Sequence, residues 1–378
     1  MTPDPRGPTL GPTEPTGTSQ GKGGPRRVRL PLLLLLVVAG LALVVGSTLL
    51  GTVAVPPQVV FQVLLHEVSG GRLFPDPCAG TSVSPRLCGA YVVIVWQLYV
   101  PEILLALIVG AALGVSGGAL QGVFRNPLAD PFLLGISSGG TIGAAIVYVY
   151  RFEEAQADLF LPLFAFVGAV ATGLLILAVA RGRFSSVETL LLTGIALANL
   201  LSAVLSLILL YNPAGSEQVT FWLLGGLGLA TWEVDGIAAG AVLVLATVIC
   251  LYGRALNLVQ LGHDVAQSAG VDARRVRMRV ILLASLTTAI AVAFTGIIGF
   301  VGLVSPHIVR RLGGTSYRVV LPGAAAVGAL FLLAARDANY LLFPGSLLPI
   351  GIFTAFAGVP FFLYLLYRQR TSSTMGSA

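Results

Sequence analysis

Long apolar segments without a charged residue are the feature that most restricts how this chain can fold. Such segments include 103–124, 189–216, 236–253, 280–309, 319–335 and 338–367. A helix needs about 20 apolar residues to cross the hydrocarbon core of a bilayer, and these segments reach or approach that length. The chain is 56% hydrophobic and only 10% charged, with a mean hydropathy of +0.91. We therefore predict an integral membrane protein.

The segments are apolar all round, which favours helices over the alternating strands of a membrane barrel. The 46 glycines agree, because small residues let membrane helices approach closely. We predict an all-α, polytopic membrane protein with about ten transmembrane helices. The predicted spans lie near 30–51, 96–122, 132–150, 159–180, 187–211, 232–252, 276–298, 299–312, 316–335 and 347–367.

The amino-terminal part has a different character. Residues 1–29 are rich in Pro, Gly and Thr and carry too little apolar surface to fold, which predicts a disordered tail. The apolar run that follows is longer than the 7–15 residues usual in a signal peptide. We predict a retained first helix with its amino end in the cytoplasm; a cleaved signal peptide is the alternative.

The distribution of positive charge supports this orientation. With the amino end inside, 18 of the 22 lysines and arginines fall on the cytoplasmic side, as the positive-inside rule requires. Four fall outside: Arg72, Arg86, Arg151 and Arg336. We predict a multi-pass protein of the cell (inner) membrane with both termini cytoplasmic. The net charge of +6 then reflects topology in the lipid bilayer and not binding to nucleic acid.

This topology divides the chain into parts. The transmembrane domain covers 30–368, with a long extracytoplasmic loop at 52–95 and a cytoplasmic loop at 252–279, and 369–378 form a cytoplasmic tail. Cys78 and Cys88 both lie in the outer loop, where an oxidising compartment permits a disulfide. Their spacing does not prove the bond, and two free thiols are the alternative.

Several kinds of chemistry have no sequence signal. The chain has no G-x-x-x-x-G-K-[ST] phosphate loop, and its three histidines lack metal-ligand spacing, so we predict no metal and no cofactor bound by this chain. No acidic residue lies in the middle of a predicted span, whereas ion-coupled carriers usually need a buried carboxylate or histidine. This pattern is typical of a pathway whose energy comes from elsewhere. A stand-alone secondary transporter or channel remains the alternative.

Four motifs resemble those of a known family. They are AALGVSGGALQGVFRNPLADPFLLGISSGG (111–140), LGHDVAQSAGV (261–271), IIGFVGLVSPHIVRRLGG (297–314) and LPIGIFTAFAGVPFFLYLL (348–366). In this order and approximate spacing they resemble the FecCD-like permeases, the membrane subunits of iron-chelate, haem and cobalamin ABC importers. The resemblance runs from about residue 30 to 368.

The resemblance implies the function and the partners. It implies a permease without catalytic residues that moves an iron chelate, haem or a corrinoid inward. A second permease, identical or different, would pair with it. Two cytoplasmic ATPase subunits would bind ATP and Mg, and an extracytoplasmic binding protein would deliver the substrate.

The resemblance also assigns the stretch 261–271 to coupling with the ATPase. Small residues would permit close docking and polar residues would add contacts; the set is Leu261, Gly262, His263, Asp264, Ala266, Gly270 and Val271. From its residues alone, the same stretch could also be one or two short helices in a solvated connector.

A gate and a pathway follow from the same resemblance. Leu128, in the motif of Asn126 and Pro127, would form the inner gate with Ser186 and Val187; simple packing of helix ends is the alternative. The second, fifth and tenth helices would line the pathway, with small faces that include Gly114, Ser116 and Gly117.

The chain departs from the family pattern on the outer face. Where relatives carry arginines that dock the binding protein, this chain has Tyr99, Glu102 and Tyr340, and Arg336 is the nearby basic residue. We predict that these four positions contact the binding protein. The topology places ten acidic residues outside, which would repel a glutamate-presenting partner: Glu67, Asp76, Glu102, Glu153, Glu154, Asp158, Glu217, Glu233, Asp235 and Asp337.

Overall fold

Helices make up the regular structure of the chain. The computed structural model describes residues 30–72, 74, 77–78, 83–150, 154–179, 187–345 and 348–374, so the predicted tail at 1–29 lies outside it. Fifteen α-helices and no β-strand occur in this described part. The predicted all-α, polytopic membrane fold is therefore confirmed.

The α-helices follow one another with short connections. Their bounds are α1 Leu30–Ser47, α2 Pro57–Val68, α3 Pro85–Val93, α4 Val100–Phe124, α5 Ile136–Val149, α6 Glu154–Val179, α7 Val187–Tyr211, α8 Ser216–Leu223, α9 Trp232–Leu251, α10 Gly253–Leu261, α11 His263–Ser268, α12 Ala273–Thr295, α13 Val301–Gly313, α14 Tyr317–Leu342 and α15 Ile350–Thr374. A π-helical turn, Ile94–Tyr99, joins α3 to α4 without a break, and a 3-10 turn, Pro131–Leu134, precedes α5.

Six helical stretches in the described part are long and apolar enough to cross a membrane. They are Pro85–Phe124, Leu159–Val179, Thr189–Tyr211, Trp232–Leu251, Ala273–Thr295 and Tyr317–Leu342. Shorter apolar helices are Val37–Ser47, Ile136–Val149 and Ile350–Leu365. Each of the ten predicted spans overlaps one of these stretches or α13.

Two helices extend beyond the predicted spans. The helix that contains the second predicted span begins at Pro85, and the helix that contains the ninth continues to Leu342. The prediction ended that span before Arg336 because a charged residue usually marks the end of a span, but the structure buries this arginine among partners. The short amphipathic helices α2 and α8 were not predicted, and α15 continues into the predicted carboxyl-terminal tail.

Helix α4 lies at the centre of the bundle, packed against α9, α12, α13 and α14. Its glycines bring the backbones into contact. A Cβ atom on Gly110 would lie 2.3 Å from the carbonyl oxygen of Gly328, and one on Gly117 would lie 1.9 Å from that of Gly302. Real Cβ atoms do not approach so closely, so only glycine allows these helix contacts.

A polar break follows α4 and ends the helix. Arg125 adopts the left-handed conformation (φ 52°), and Pro127 cannot continue the helical hydrogen bonds. The carboxylate of Asp130 then accepts a hydrogen bond from the backbone N–H of Phe132 at 2.9 Å, which caps the 3-10 turn. We call residues 125–135 the corner.

The two ends of the bundle differ. We call the end that carries α10 and α11 the coupling end, and the end that carries α2 and α3 the disulfide end. At the disulfide end, Cys78 and Cys88 form a disulfide with their Cα atoms 5.7 Å apart. Cys88 packs in a small core with Val59, Val63 and Tyr99, so this end has an apolar cluster of its own.

Candidate functional site

The small residues predicted to line a pathway are packed inside the subunit. Gly114 faces the backbone of Ala324 in α14, with a hypothetical Cβ atom 2.0 Å from its carbonyl oxygen, and Gly117 faces α13. Ser116 is fully buried between them. These contacts place Gly114 and Gly117 at helix-packing positions, and their predicted place along a pathway stays a prediction.

The corner joins α4 to the coupling loop and to α7. The guanidinium of Arg125 donates a hydrogen bond to the carbonyl oxygen of Val259 in α10. On the other side, a Cβ atom on Gly194 of α7 would lie 2.6 Å from the carbonyl oxygen of Leu133. The corner therefore touches both the loop predicted to couple to an ATPase and the helix predicted to line the pathway.

The predicted gate residues lie on this corner and at the start of α7. Asn126 and Pro127 are exposed, and Leu128 is half-buried. The side-chain oxygen of Asn126 accepts a hydrogen bond from the backbone N–H of Leu128 at 2.9 Å, which fixes the turn. Val187 is the first residue of α7, and Ser186 lies outside the described residues. The gate stays a prediction.

Helix α7 is the most exposed of the apolar spans. Only 6% of its most apolar window is buried, against 78% for the stretch that contains α4. Asn199, Ser202 and Ser206 are exposed near its middle, and their spacing places them on one face of the helix. We call these three residues the polar stripe. The polar stripe was not predicted, although polar residues at helical spacing in the fifth span are a signal for it in the sequence.

The polar stripe cannot face lipid without a cost. Two of its side chains bond back to their own helix. The side-chain amide of Asn199 donates to the backbone carbonyl of Ile195 at 3.0 Å, and the hydroxyl of Ser206 donates to the backbone carbonyl of Ser202 at 2.9 Å. These bonds do not use all the hydrogen-bond donors and acceptors of the three side chains. Polar side chains inside a membrane usually face a protein interior or a water-filled cavity.

The predicted coupling stretch folds into a compact helix pair, α10 and α11. Ala266 is fully buried against Val259 and Ala273, and the backbone N–H of Val271 donates to the carbonyl of Ala266 at 2.8 Å. Gly262 and Gly270 have positive φ angles of 126° and 77°, which only glycine adopts easily. Burial therefore gives Ala266 a role in packing the pair and corrects its predicted part in docking, whereas Gly262 and Gly270 lie at the surface with open space around them, and their part in docking stays a prediction.

The exposed surface of this pair comes from its larger residues. Leu261 is 66% exposed and Val265 is 46% exposed, and His263 and Asp264 are exposed beside them. The helix pair therefore presents two exposed apolar side chains beside exposed polar ones, and its docking to an ATPase stays a prediction.

The residues predicted to dock a binding protein meet instead in a buried network at the disulfide end. Arg336 is fully buried, and its guanidinium donates to Glu102 at 2.9 Å and to Asp337 at 3.0 Å. The hydroxyl of Tyr340 donates to both carboxylate oxygens of Glu102, at 2.9 and 3.0 Å. We call these four residues the arginine network.

Burial corrects the docking prediction. Tyr99 is 3% exposed, and its hydroxyl binds the backbone of Val53 at 2.8 and 2.9 Å, so it also faces inward. Asp235 and Asp337 are each only 4% exposed and do not belong to an outer acidic surface. Glu102 and Asp337 pair with Arg336, which sequence spacing could not show, whereas the carboxylate of Asp235 is buried without a hydrogen-bond partner among the described residues.

This all-α bundle of apolar helices occurs in known membrane proteins. A family model, described as the FecCD transport family, matches residues 33–368. The chain belongs to the FecCD transport family. It is a permease subunit of an ABC importer and not an enzyme, and ATP hydrolysis takes place in partner ATPase subunits.

Individual relatives agree with the family. The chain is 39% identical over 280 residues to the hemin transport system permease protein HmuU of Yersinia pestis, covering 73% of this chain and 84% of that protein. It is 36% identical over 354 residues to the cobalamin import system permease protein BtuC of Halobacterium salinarum, covering 91% and 90%. A solved metal-chelate type ABC transporter, in an inward-facing conformation, has a TM-score of 0.74 at 28% identity, covering 89% of this chain and 99% of that one.

Proposed function

We propose that this chain forms one half of the membrane pathway of an importer for a metal chelate: an iron chelate, haem or a corrinoid. The observation that carries the pathway is the polar stripe on α7, which lies at the middle of a span that the chain leaves exposed. A second permease, identical or related, would cover this face and complete the pathway. The relatives named for hemin and cobalamin support the substrate class.

The energy would enter at the coupling end. Two ATPase subunits, which bind ATP and Mg, would each seat one α10–α11 pair, with Leu261 and Val265 as the apolar contacts. Because Arg125 of the corner bonds to α10 and Leu133 touches α7, a displacement of the pair would be transmitted to both helices. Leu128 and Val187 lie on these moving parts, which supports their role as the gate.

The orientation completes the proposal. The coupling end and both termini face the cytoplasm, as the distribution of basic residues indicates. The disulfide end then faces the outside of the cell membrane, where an oxidising environment maintains the bond between Cys78 and Cys88. A substrate-binding protein would dock on this end through residues other than the arginine network.

The test is uptake by proteoliposomes that contain this chain and its ATPase. We expect ATP-dependent accumulation of haem, ferric citrate or cobalamin when the binding protein is present. The double substitution L261D/V265D should abolish ATPase association and uptake, because it places charge on the apolar docking surface. The matched control V68D changes a valine that is 78% exposed at the disulfide end, and it should leave ATPase association intact.

Two results would contradict the proposal. One is chelate uptake by proteoliposomes that lack the ATPase. The other is full ATP-driven uptake by L261D/V265D.

A further inference from the structure

A cleft of about 1000 Å³ opens at the coupling end, where α9 ends and α10 and α14 begin. Helix packing fixes its shape: a Cβ atom on Gly253 would lie 3.1 Å from the backbone nitrogen of Arg318, so α10 and α14 nearly touch. We call it the basic cleft. Its lining includes Leu251, Arg254, Asn257, Val271, Ser316 and Arg318.

The basic cleft carries positive charge without compensation. Arg254 and Arg318 are both exposed, no acidic residue lines the cleft, and neither arginine pairs with a described acidic residue. The acid next to its wall, Asp272, is already engaged: its carboxylate accepts from the backbone N–H groups of Arg274 and Arg275 and pairs with the Arg275 guanidinium, each at 3.0 Å. The cleft therefore favours an anion.

Neutral groups in the cleft add donors. The side chain of Asn257 accepts from the backbone N–H of Tyr317 at 2.8 Å and donates to the Ser316 hydroxyl oxygen at 3.1 Å. Since that oxygen accepts, the Ser316 hydroxyl proton remains available to a ligand. Helix α14 also begins here, with its positive end toward the cleft. Two guanidinium groups and a hydroxyl suit the oxygens of a phosphate group.

The position of the cleft selects a lipid as the source of that phosphate. Leu251 is 77% exposed at the last position of the apolar span Trp232–Leu251, and Val319 is 40% exposed in the first turn of the span that begins at Tyr317. Apolar spans end where the hydrocarbon core meets the headgroups. We propose that the basic cleft binds the phosphate of an anionic phospholipid, with an acyl chain lying along Leu251 and Val319.

Native mass spectrometry of the full chain released from nanodiscs tests this site. The nanodiscs contain phosphatidylcholine with a minority of phosphatidylglycerol. We expect one retained phosphatidylglycerol per chain, and about a tenfold or greater loss of that adduct in R254Q/R318Q, since each arginine near a membrane surface contributes to anionic-lipid binding. The matched control R274Q/R279Q removes two exposed arginines at the same end, outside the cleft, and should retain the lipid.

The variants and a soluble anion make the result decisive. R254K/R318K keeps the charge but loses the planar fork of arginine, so we expect an intermediate loss. Equal lipid loss in R254Q/R318Q and R274Q/R279Q, or none in the former, would overturn the proposal. So would inorganic phosphate, added to phosphatidylcholine nanodiscs, if it raised the unfolding midpoint as much as phosphatidylglycerol does. In phosphatidylcholine alone, all variants should unfold like the wild type, and none of these readouts depends on the transported substrate.

Discussion

At the scale of single residues, the arginine network shows how two membrane helices, α4 and α14, can hold three charged side chains near their ends. One guanidinium serves two carboxylates, Glu102 and Asp337, and it also donates to the backbone carbonyl of Ser47 at 2.9 Å. Each charge is paired, yet the cluster keeps one negative charge in excess. Its stability therefore depends strongly on the single cation.

Replacing Arg336 by methionine should destabilise the chain by about 3–5 kcal/mol, because removal of one partner leaves buried charges without compensation. The measurement is thermal or denaturant unfolding in detergent or nanodiscs. As a control, R275Q removes the arginine of an exposed ion pair with Asp272 and should leave the unfolding midpoint unchanged. Equal midpoints for R336M and the wild type would show that the network contributes nothing to stability.

At the scale of helices, the glycines of α4 decide which neighbours can approach. Gly117 and Gly118 are adjacent in sequence but differ in their surroundings. A Cβ atom on Gly117 would collide with the backbone of Gly302, whereas one on Gly118 would meet only side chains, at 3.5–3.6 Å. The pair offers a matched test of the contact between α4 and α13.

G117A should lower the free energy of unfolding by about 1–3 kcal/mol, since the added methyl group must separate two backbones. G118A should be neutral or slightly stabilising, because alanine favours a helix over glycine by about 1 kcal/mol. Thermal unfolding of both variants in the same nanodiscs makes the comparison. Equal effects of the two substitutions would contradict the close contact.

Much of this helical architecture could be predicted from the sequence, and the exceptions have physical causes. Apolar runs and the prolines of the corner identify the spans and the break after α4, because both act locally. The burial and pairing of Arg336 could not be predicted, since its partner Glu102 is 234 residues away in sequence. The packing role of Gly114 and Gly117 likewise depends on backbones from α14 and α13, which no local pattern reveals.

At the scale of the whole molecule, the chain buries α4 and leaves α7 exposed, which is the arrangement of a subunit that needs a partner. If two permeases enclose a pathway along α7, water should reach the polar stripe. In a Cys250→Ala background, S206C should react with a water-soluble methanethiosulfonate in nanodiscs, in either the nucleotide-free or the ATP-bound complex. L243C, at a position on α9 that is 69% exposed, should face lipid and stay unmodified.

Similar reactivity of S206C and L243C would remove α7 from the pathway. Faster modification of S206C in one nucleotide state than in the other would, in addition, report the opening of the pathway.

The arginine network joins parts of the chain that are synthesised far apart in time. The hydroxyl of Ser47 donates to Asp337, 290 residues later, and Glu102 pairs with Arg336, 234 residues later. Both partners belong to α14, so these contacts of Ser47 and Glu102 can form only after most of the helices have been made.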